Sequence, residues 1–399
     1  MLQGGSQALR AGPFRERAQE FVRHLRSRGY TANTIRVKLQ FLAEMSRWSV
    51  RRHAAVFDEV RLGEFLRDPR HRYRTTRGVR ATGLQVIQFL RAKGDLPPAA
   101  PPARPGRASQ IESEYAVYLR EERGVAEGTV AVYLRMVHPF VIEYLGGGRR
   151  RAKLDAAGVI RFVLSHASSV SPRYAKLRVT ALRSFLRFAY LQGTTKVDFG
   201  AAVPTVPNWR LASLPRFISA TDVLRLVRSC DRRTHGGRRD HAILLLLARL
   251  GLRAGEVAHL KLEDIDWDLG ELIVHGKGQH QDRIPLPSDV GRALADYIRR
   301  DRPRCESRTV IIRLQAPLGG LQGMGIASIV KRAIERVGLQ TPSAGAHLLR
   351  HSLATDLLRR GSSIPEIAEL LRHRSPETTM LYAKVDLAAL RRVPPPWPA

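Results

Sequence analysis

Apolar positions along the first two hundred residues recur at helical spacing, and two stretches of them run in parallel. LRSRGYTANTIRVKL (25–39) aligns with LREERGVAEGTVAVYL (119–134). Each places a Thr five residues after a Gly, Gly29 and Thr34 in one, Gly124 and Thr129 in the other, and each then enters an apolar helical period. Both threonines suit a helix start or first turn. Later, LQVIQFLRAKG (84–94) and LRSFLRFAYLQG (182–193) both end in Gly, with Phe89 and Phe188 five residues earlier. A terminal Gly fits a helix C-cap. The pairing predicts an internal duplication of a small module of four or five helices, against the alternative of a generic match between two amphipathic helix pairs.

Two breaks interrupt the pattern. LPPAAPPARPGR (96–107) cannot continue a helix, because Pro lacks the backbone N–H and clashes with the preceding turn. VPTVPNWRLASLPR (203–216) is the second. The expected layout is a helical module at 1–95, a linker at 96–107, a second helical module at 108–203, a linker at 204–215 and a third unit at 216–399. In that third unit the pattern changes. A helix is predicted from about Asp222, a long apolar one over 240–250, and a turn at Gly251. LIVHGKGQHQDRIPLP (272–287) reads as a β-hairpin, with apolar runs on either side of a Gly-rich polar turn. Helices are expected near 288–300, 326–337, 347–360, 365–371 and 376–382. The fold class is therefore mainly α with a small β-sheet, ending in an α+β domain.

Charge adds a partner to this picture. The 399 residues hold 67 Lys and Arg against 36 Asp and Glu, a formal net charge of +31, which points to a polyanion. Residues 1–214 carry +21 and residues 215–399 carry +10, so the helical half is the expected phosphate-binding surface. A genome biased toward Arg codons would also raise the count, since 58 of the 67 basic residues are Arg. Nucleic acid is the favoured partner over heparin-like or anionic membrane surfaces. The apolar stretch AILLLLA (242–248) is far short of the roughly 20 residues of a spanning helix, so no membrane association is expected, and the N-terminus has no signal-like apolar segment. Cys230 and Cys305 form neither a disulfide framework nor a zinc-finger spacing. A cytoplasmic location is expected.

Chemistry on a phosphodiester needs donors around two non-bridging oxygens, a nucleophile and a proton source for the leaving oxygen. Guanidinium suits the clamp, because its planar fork pairs two oxygens and keeps its charge. Arg253, in LGLRAGEVAHLKLEDIDW, follows the apolar helix and precedes Glu256 by three residues, so that this carboxylate can support the guanidinium. His347 and Arg350, in AHLLRHSLATDLL, share a helix face. His347 and His351 also stand at i and i+4, but Leu348 replaces the Glu base that a zinc protease needs. His373 precedes Tyr382 by nine residues across a helix start at Ser375 and Pro376, and Lys277 lies at the hairpin tip. Tyr133, Tyr144 and Tyr190 are expected to pack.

This set, in this order, resembles the tyrosine recombinase or phage integrase family, over about residues 111–395. The resemblance implies one or two N-terminal helical DNA-binding modules of SAM-like core-binding type, the first of them an arm or second core-binding-like module, before the catalytic domain. It implies that Arg253 and Arg350 clamp the scissile phosphate and that Lys277 protonates the leaving 5′ oxygen. His347 would assist proton transfer to and from the nucleophile, and His373 would donate to a non-bridging oxygen. Tyr382 would attack to give a 3′-phosphotyrosyl link. That link keeps the phosphoester energy, so neither metal nor other cofactor is expected. Partners implied are double-stranded DNA and a homotetramer in the synapse, alone or with related recombinases. Arg372 stands where the family usually has Gly, and Leu348 where a basic or polar residue is often seen. A type IB topoisomerase and an inactive DNA-binding protein of the same fold are the alternatives. The tail at 385–399 favours recombination, since such tails dock into a neighbouring subunit in the resembled family.

Overall fold

The computed structural model describes residues 14, 17–53, 57–68, 77–98, 106–146, 153–167, 170–205, 216–276, 280–341, 343–373 and 376–383. Thr31 shows how its helices begin. Its backbone is extended (φ −68°, ψ 154°), and its hydroxyl accepts from the Thr34 N–H at 3.3 Å, meeting a donor that a helix start leaves open. The first four helices are α1 (Ala18–Ser27), α2 (Ala32–Arg51), α3 (Glu59–Arg67) and α4 (Arg77–Ala92). They enclose an aromatic core in which Trp48 meets Phe65 edge-on, ring centres 5.7 Å apart.

The next four repeat the order: α5 (Arg107–Glu121), α6 (Glu127–Tyr144), α7 (Ala156–Ala167) and α8 (Pro172–Leu191). Their core is again aromatic, with Phe140 edge-on to Phe162 at 5.1 Å. The aligned residues fall at the same places relative to their helices. Gly29 and Gly124, each just after the first helix of its set, have φ of +80° and +56°, and Gly94 and Gly193, each just after the fourth, have +79° and +67°. Phe89 and Phe188 are both buried. Tyr144 packs as expected, whereas Tyr190 is 45% exposed because it faces outward from the last turns of α8.

By contact the chain forms two units, Met1–Pro97 with Leu214–Ala399, and Pro98–Ser213. Both boundaries fall inside the Pro-rich breaks, of which 99–105 and 206–215 lie outside the described residues. Within the first unit α1–α4 keep their own apolar core, and the Arg28 carbonyl accepts from the Leu318 N–H at 2.9 Å.

The C-terminal region runs α9 (Ala220–Arg228), α10 (His235–Arg249), α11 (Ala254–His259), β1 (Ile265–Asp266), β2 (Glu271–His275), β3 (Gln281–Pro285), α12 (Ser288–Arg300), α13 (Gly323–Arg336), α14 (Ala346–Arg359), α15 (Ile364–Leu370) and α16 (Pro376–Ala383). The sheet has the order β1-β2-β3 and is antiparallel, with Leu272 opposite Ile284 and His275 opposite Gln281. Leu272 and Val274 point into the core while their neighbours in β2 stay partly exposed, the period-2 burial of a one-sided sheet. Helix α10 starts five residues before the expected Asp240: Thr234 caps it, accepting from the Gly237 N–H at 3.0 Å, and its polar first turn carries no apolar period. Residues 242–248 of α10 are buried around its whole circumference. Each fully buried Leu there contributes about 2 kcal/mol on leaving water. Among the described residues no helix is long and apolar enough to cross a membrane.

Candidate active site

The turn after α10 begins the site. Gly251 has φ +57°, and a Cβ there would stand 2.7 Å from Leu371 Cδ2, so both backbone angle and space require Gly. The Gly251 carbonyl accepts from Arg350 Nη1, and the Leu371 carbonyl accepts from Arg350 Nη2. Buried Arg350, on α14, thus joins the turn after α10 to the segment after α15. Burial pushes its guanidinium pKa down to about 10, helped by the positive charge of Arg253.

Arg253 is the N-cap of α11. Its backbone N–H donates to Glu256 Oε2 at 2.8 Å, and its Nη1 donates to Oε1 at 2.6 Å. The Arg253 side chain is 40% exposed while that of Glu256 is 7% exposed, so the carboxylate orients a guanidinium that still faces solvent. Burial acts to raise the Glu256 pKa, but the hydrogen bonds from Arg253 and the nearby Arg372 charge prevail and lower it. Glu256 therefore stands ionised against the Arg253 guanidinium.

Arg372 brings in a group that the sequence marked only as a departure. Its backbone is left-handed (φ +54°), a region that Gly enters without strain and other residues rarely adopt. Its Nη2, largely covered, donates to Glu256 Oε2 at 3.1 Å. One carboxylate thus holds Arg253 and the residue preceding His373.

The nucleophile candidate sits behind this layer. Tyr382, penultimate in α16, is 1% exposed and packs with Ala354, Ile367 and Leu371. Burial pushes its phenol up to about 12, against the opposing pull of Arg350 and then Arg253. The His373 ring lies parallel to it, interplanar angle 2°, centres 6.4 Å apart, and His373 Nδ1 is 2.7 Å from Thr379 Oγ1. His351 Nδ1 lies 2.7 Å from the Tyr382 phenolic oxygen. His347 is one turn earlier on α14, its ring 6.3 Å from that of His351. Burial first, and neighbouring positive charge second, hold His373 down to about 4, and burial does the same for His351.

Arg253, His347, Arg350, His373, Tyr382 and Glu256 are therefore brought together, while Lys277 lies outside the described residues. His351, Arg372 and Thr379 were not expected. His351 had a visible signal as the last residue of His-Leu-Leu-Arg-His, but its pairing with Tyr382 spans 31 positions and depends on how α16 packs against α14. The arrangement sets one solvent-facing guanidinium, Arg253, and one buried guanidinium, Arg350, beside a buried phenol.

The sequence model of the phage integrase family matches residues 216–388, which include every residue of this cluster. The protein y4rA of Sinorhizobium fredii, named as an integrase/recombinase, is 41% identical over 383 residues, covering 95% of this chain and 93% of that one. The tyrosine recombinase XerD of Listeria innocua is 30% identical over 292 residues, covering 71% of this chain and 97% of its own. Among solved structures, XerH site-specific recombinase bound to a palindromic difH substrate has a TM-score of 0.56 at 19% identity, covering 71% of this chain and 83% of that one. A lambda integrase dimer bound to a core site has a TM-score of 0.53 at 18% identity, covering 69% and 94%. Those two show the shared fold, mostly helical with a small sheet. With one relative matched along 95% of the chain and a tyrosine recombinase matched along 71% of it, this chain belongs to the phage integrase family of tyrosine recombinases.

Proposed function

We propose that the chain is a site-specific DNA recombinase that cuts and rejoins duplex DNA through a 3′-phosphotyrosyl link on Tyr382, serving integration, excision or transposition of a mobile element. The observation that supports this most directly is the family match over residues 216–388, a stretch that holds Tyr382 together with Arg350, which spans the Gly251 and Leu371 carbonyls, and with the solvent-facing Arg253. A phosphate on those guanidiniums would have its developing charge met by fixed donors. The phenolic oxygen attacks phosphorus, the bond to the 5′ oxygen breaks, and that oxygen leaves with a proton, for which Lys277 is the expected source. Rejoining reverses the step with a 5′ hydroxyl as nucleophile, so the link stores the bond that hydrolysis would lose.

Attack from inside a packed cluster requires α16 to shift when DNA is seated, since Tyr382 has almost no exposed surface. The two helical modules supply the backbone grip, because their half of the chain holds +21 of the +31 net charge. Strand exchange between two duplexes needs four cuts, hence four active sites in a synapse, which supports a homotetramer or a mixture with related recombinases.

The test separates recombination from simple relaxation. One supercoiled plasmid carries two copies of the end sequence of the encoding element, and a second carries none. Deletion or inversion of the intervening segment on the first alone is expected; equal relaxation of both without rearrangement contradicts site-specific recombination.

A further inference from the structure

The two clamp arginines are joined twice over. Arg350 Nη1 donates to the carbonyl of Gly251, two residues before Arg253, and Arg350 Nη2 donates to the carbonyl of Leu371, next to Arg372. Arg372 Nη2 in turn donates to Glu256 Oε2 at 3.1 Å, and Glu256 Oε1 accepts from Arg253 Nη1 at 2.6 Å. The path closes on itself, from Arg350 through Leu371, Arg372, Glu256 and Arg253 to Gly251 and back. We infer that Arg372 is a positioning residue of this chain, the link that closes this ring and so fixes Arg253 and Arg350 relative to each other on the scissile phosphate, a role that presupposes the recombinase reading of the site.

The rest of the Arg372 side chain is held as well. Its Nη1 donates to the Leu370 carbonyl at 3.2 Å, and its Nε lies 3.9 Å from Asp282 Oδ2 on β3. With 8% of the side chain exposed, it faces protein and not phosphate, so its effect runs through Glu256. A Glu256 carboxylate held by Arg253 alone would be fixed only to α11. The bond from Arg372 ties it also to the segment after α15, which Arg350 already grips, and a charge-assisted bond of this kind resists rotation better than a neutral one. The left-handed backbone of Arg372 is the cost of this link, since a Gly there would be free of strain but would leave the ring open. No member of the ring lies on α16, so the shift that brings Tyr382 to the phosphate does not require the ring to break.

An aiming role differs from a bracing one in what it does to the reaction. If Arg372 aims the clamp, its loss matters in proportion to the charge that the clamp must meet; if it only braces the fold, charge on the substrate is irrelevant. The experiment measures single-turnover adduct formation at saturating DNA for the full chain as wild type, Arg372→Gly and Arg372→Ala. Nicked duplexes carry either a phosphate or an uncharged methylphosphonate at the scissile position. Both variants remove the guanidinium and only Gly frees the backbone angle, so a loss common to both belongs to the guanidinium. DNA affinity and urea midpoints are followed in parallel, and rates are taken per bound protein, which guards against an Ala variant that folds poorly.

Expected on phosphate is adduct formation slowed about 10- to 100-fold in both variants, the scale of a misplaced reacting group, with DNA affinity within about 3-fold of wild type. On methylphosphonate the variants should come within about 3-fold of wild type, because the clamp has less charge to meet there. Three results would overturn the role given to Arg372: variants as fast as wild type on phosphate, a loss confined to one of the two, or a loss equally large on methylphosphonate. In each of them wild type still joins phosphate DNA to Tyr382, whereas a wild type that forms no adduct at all strikes the recombinase reading itself.

Discussion

Glu256 accepts three hydrogen bonds, from the Arg253 backbone, the Arg253 side chain and Arg372. Glu256→Gln removes the nearer of the two carboxylates that face Arg372, Asp282 being the other at 3.9 Å, and should lower stability by about 2 kcal/mol in urea denaturation. An unchanged midpoint would show that the carboxylate is dispensable to the site. Arg372 itself combines a left-handed backbone with a largely covered ion pair. Arg372→Gly relieves the backbone while Arg372→Ala does not, and both lose the guanidinium. Gly should therefore be the more stable by about 1 kcal/mol. At this scale, Arg253, His347, Arg350, His373 and Tyr382 were legible because spacing within a helix or turn limits where each side chain can go. Arg372 and Thr379 were not, since what they touch depends on long-range packing or on a backbone angle that carries no motif.

Helix α6 and helix α2 begin after turns that reverse the chain within a few residues, and the glycines that open those turns were visible as a repeated spacing. Gly124→Ala meets no neighbouring atom, so its cost is backbone strain alone, φ being +56°. About 1 kcal/mol is expected by thermal or urea unfolding. Phe185→Ala, which empties a place among Tyr115, Phe140 and Phe188, should cost about 4 kcal/mol. Tyr190→Ala on exposed α8 surface should stay within about 0.5 kcal/mol. A large loss at Tyr190 would mean that this face packs in solution. Helix periods and Gly caps made these elements readable. Starts such as His235 were missed because a polar first turn is held by its cap and not by burial.

Over the whole molecule, charge and protonation govern behaviour. With a net charge of +31, DNA affinity should fall by about 1,000-fold or more between about 50 and 200 mM salt, read by fluorescence anisotropy. A flat salt response would deny phosphate contacts their leading part. Folding should also depend on pH through His351 and His373, both held near 4 by burial. Below about 6.5 the unfolded chain takes up protons that the folded chain refuses, so stability is full above that pH and declines as pH falls toward about 4. Urea midpoints at about pH 7.5 and pH 5 would register the slope, and it should flatten in His351→Leu. The overall composition announced a DNA partner, but not how the chain divides by contact, which depends on surfaces that periodicity does not expose. Whether Tyr382 breaks DNA is measured directly on a nicked duplex from the element's ends incubated with the protein without metal. Protein and DNA are then separated under denaturing conditions and the linked peptide is identified by mass spectrometry. A 3′-phosphate joined to Tyr382 is expected in wild type and no adduct in Tyr382→Phe; an adduct persisting in Tyr382→Phe, or mapping to another residue, would mean that Tyr382 is not the nucleophile.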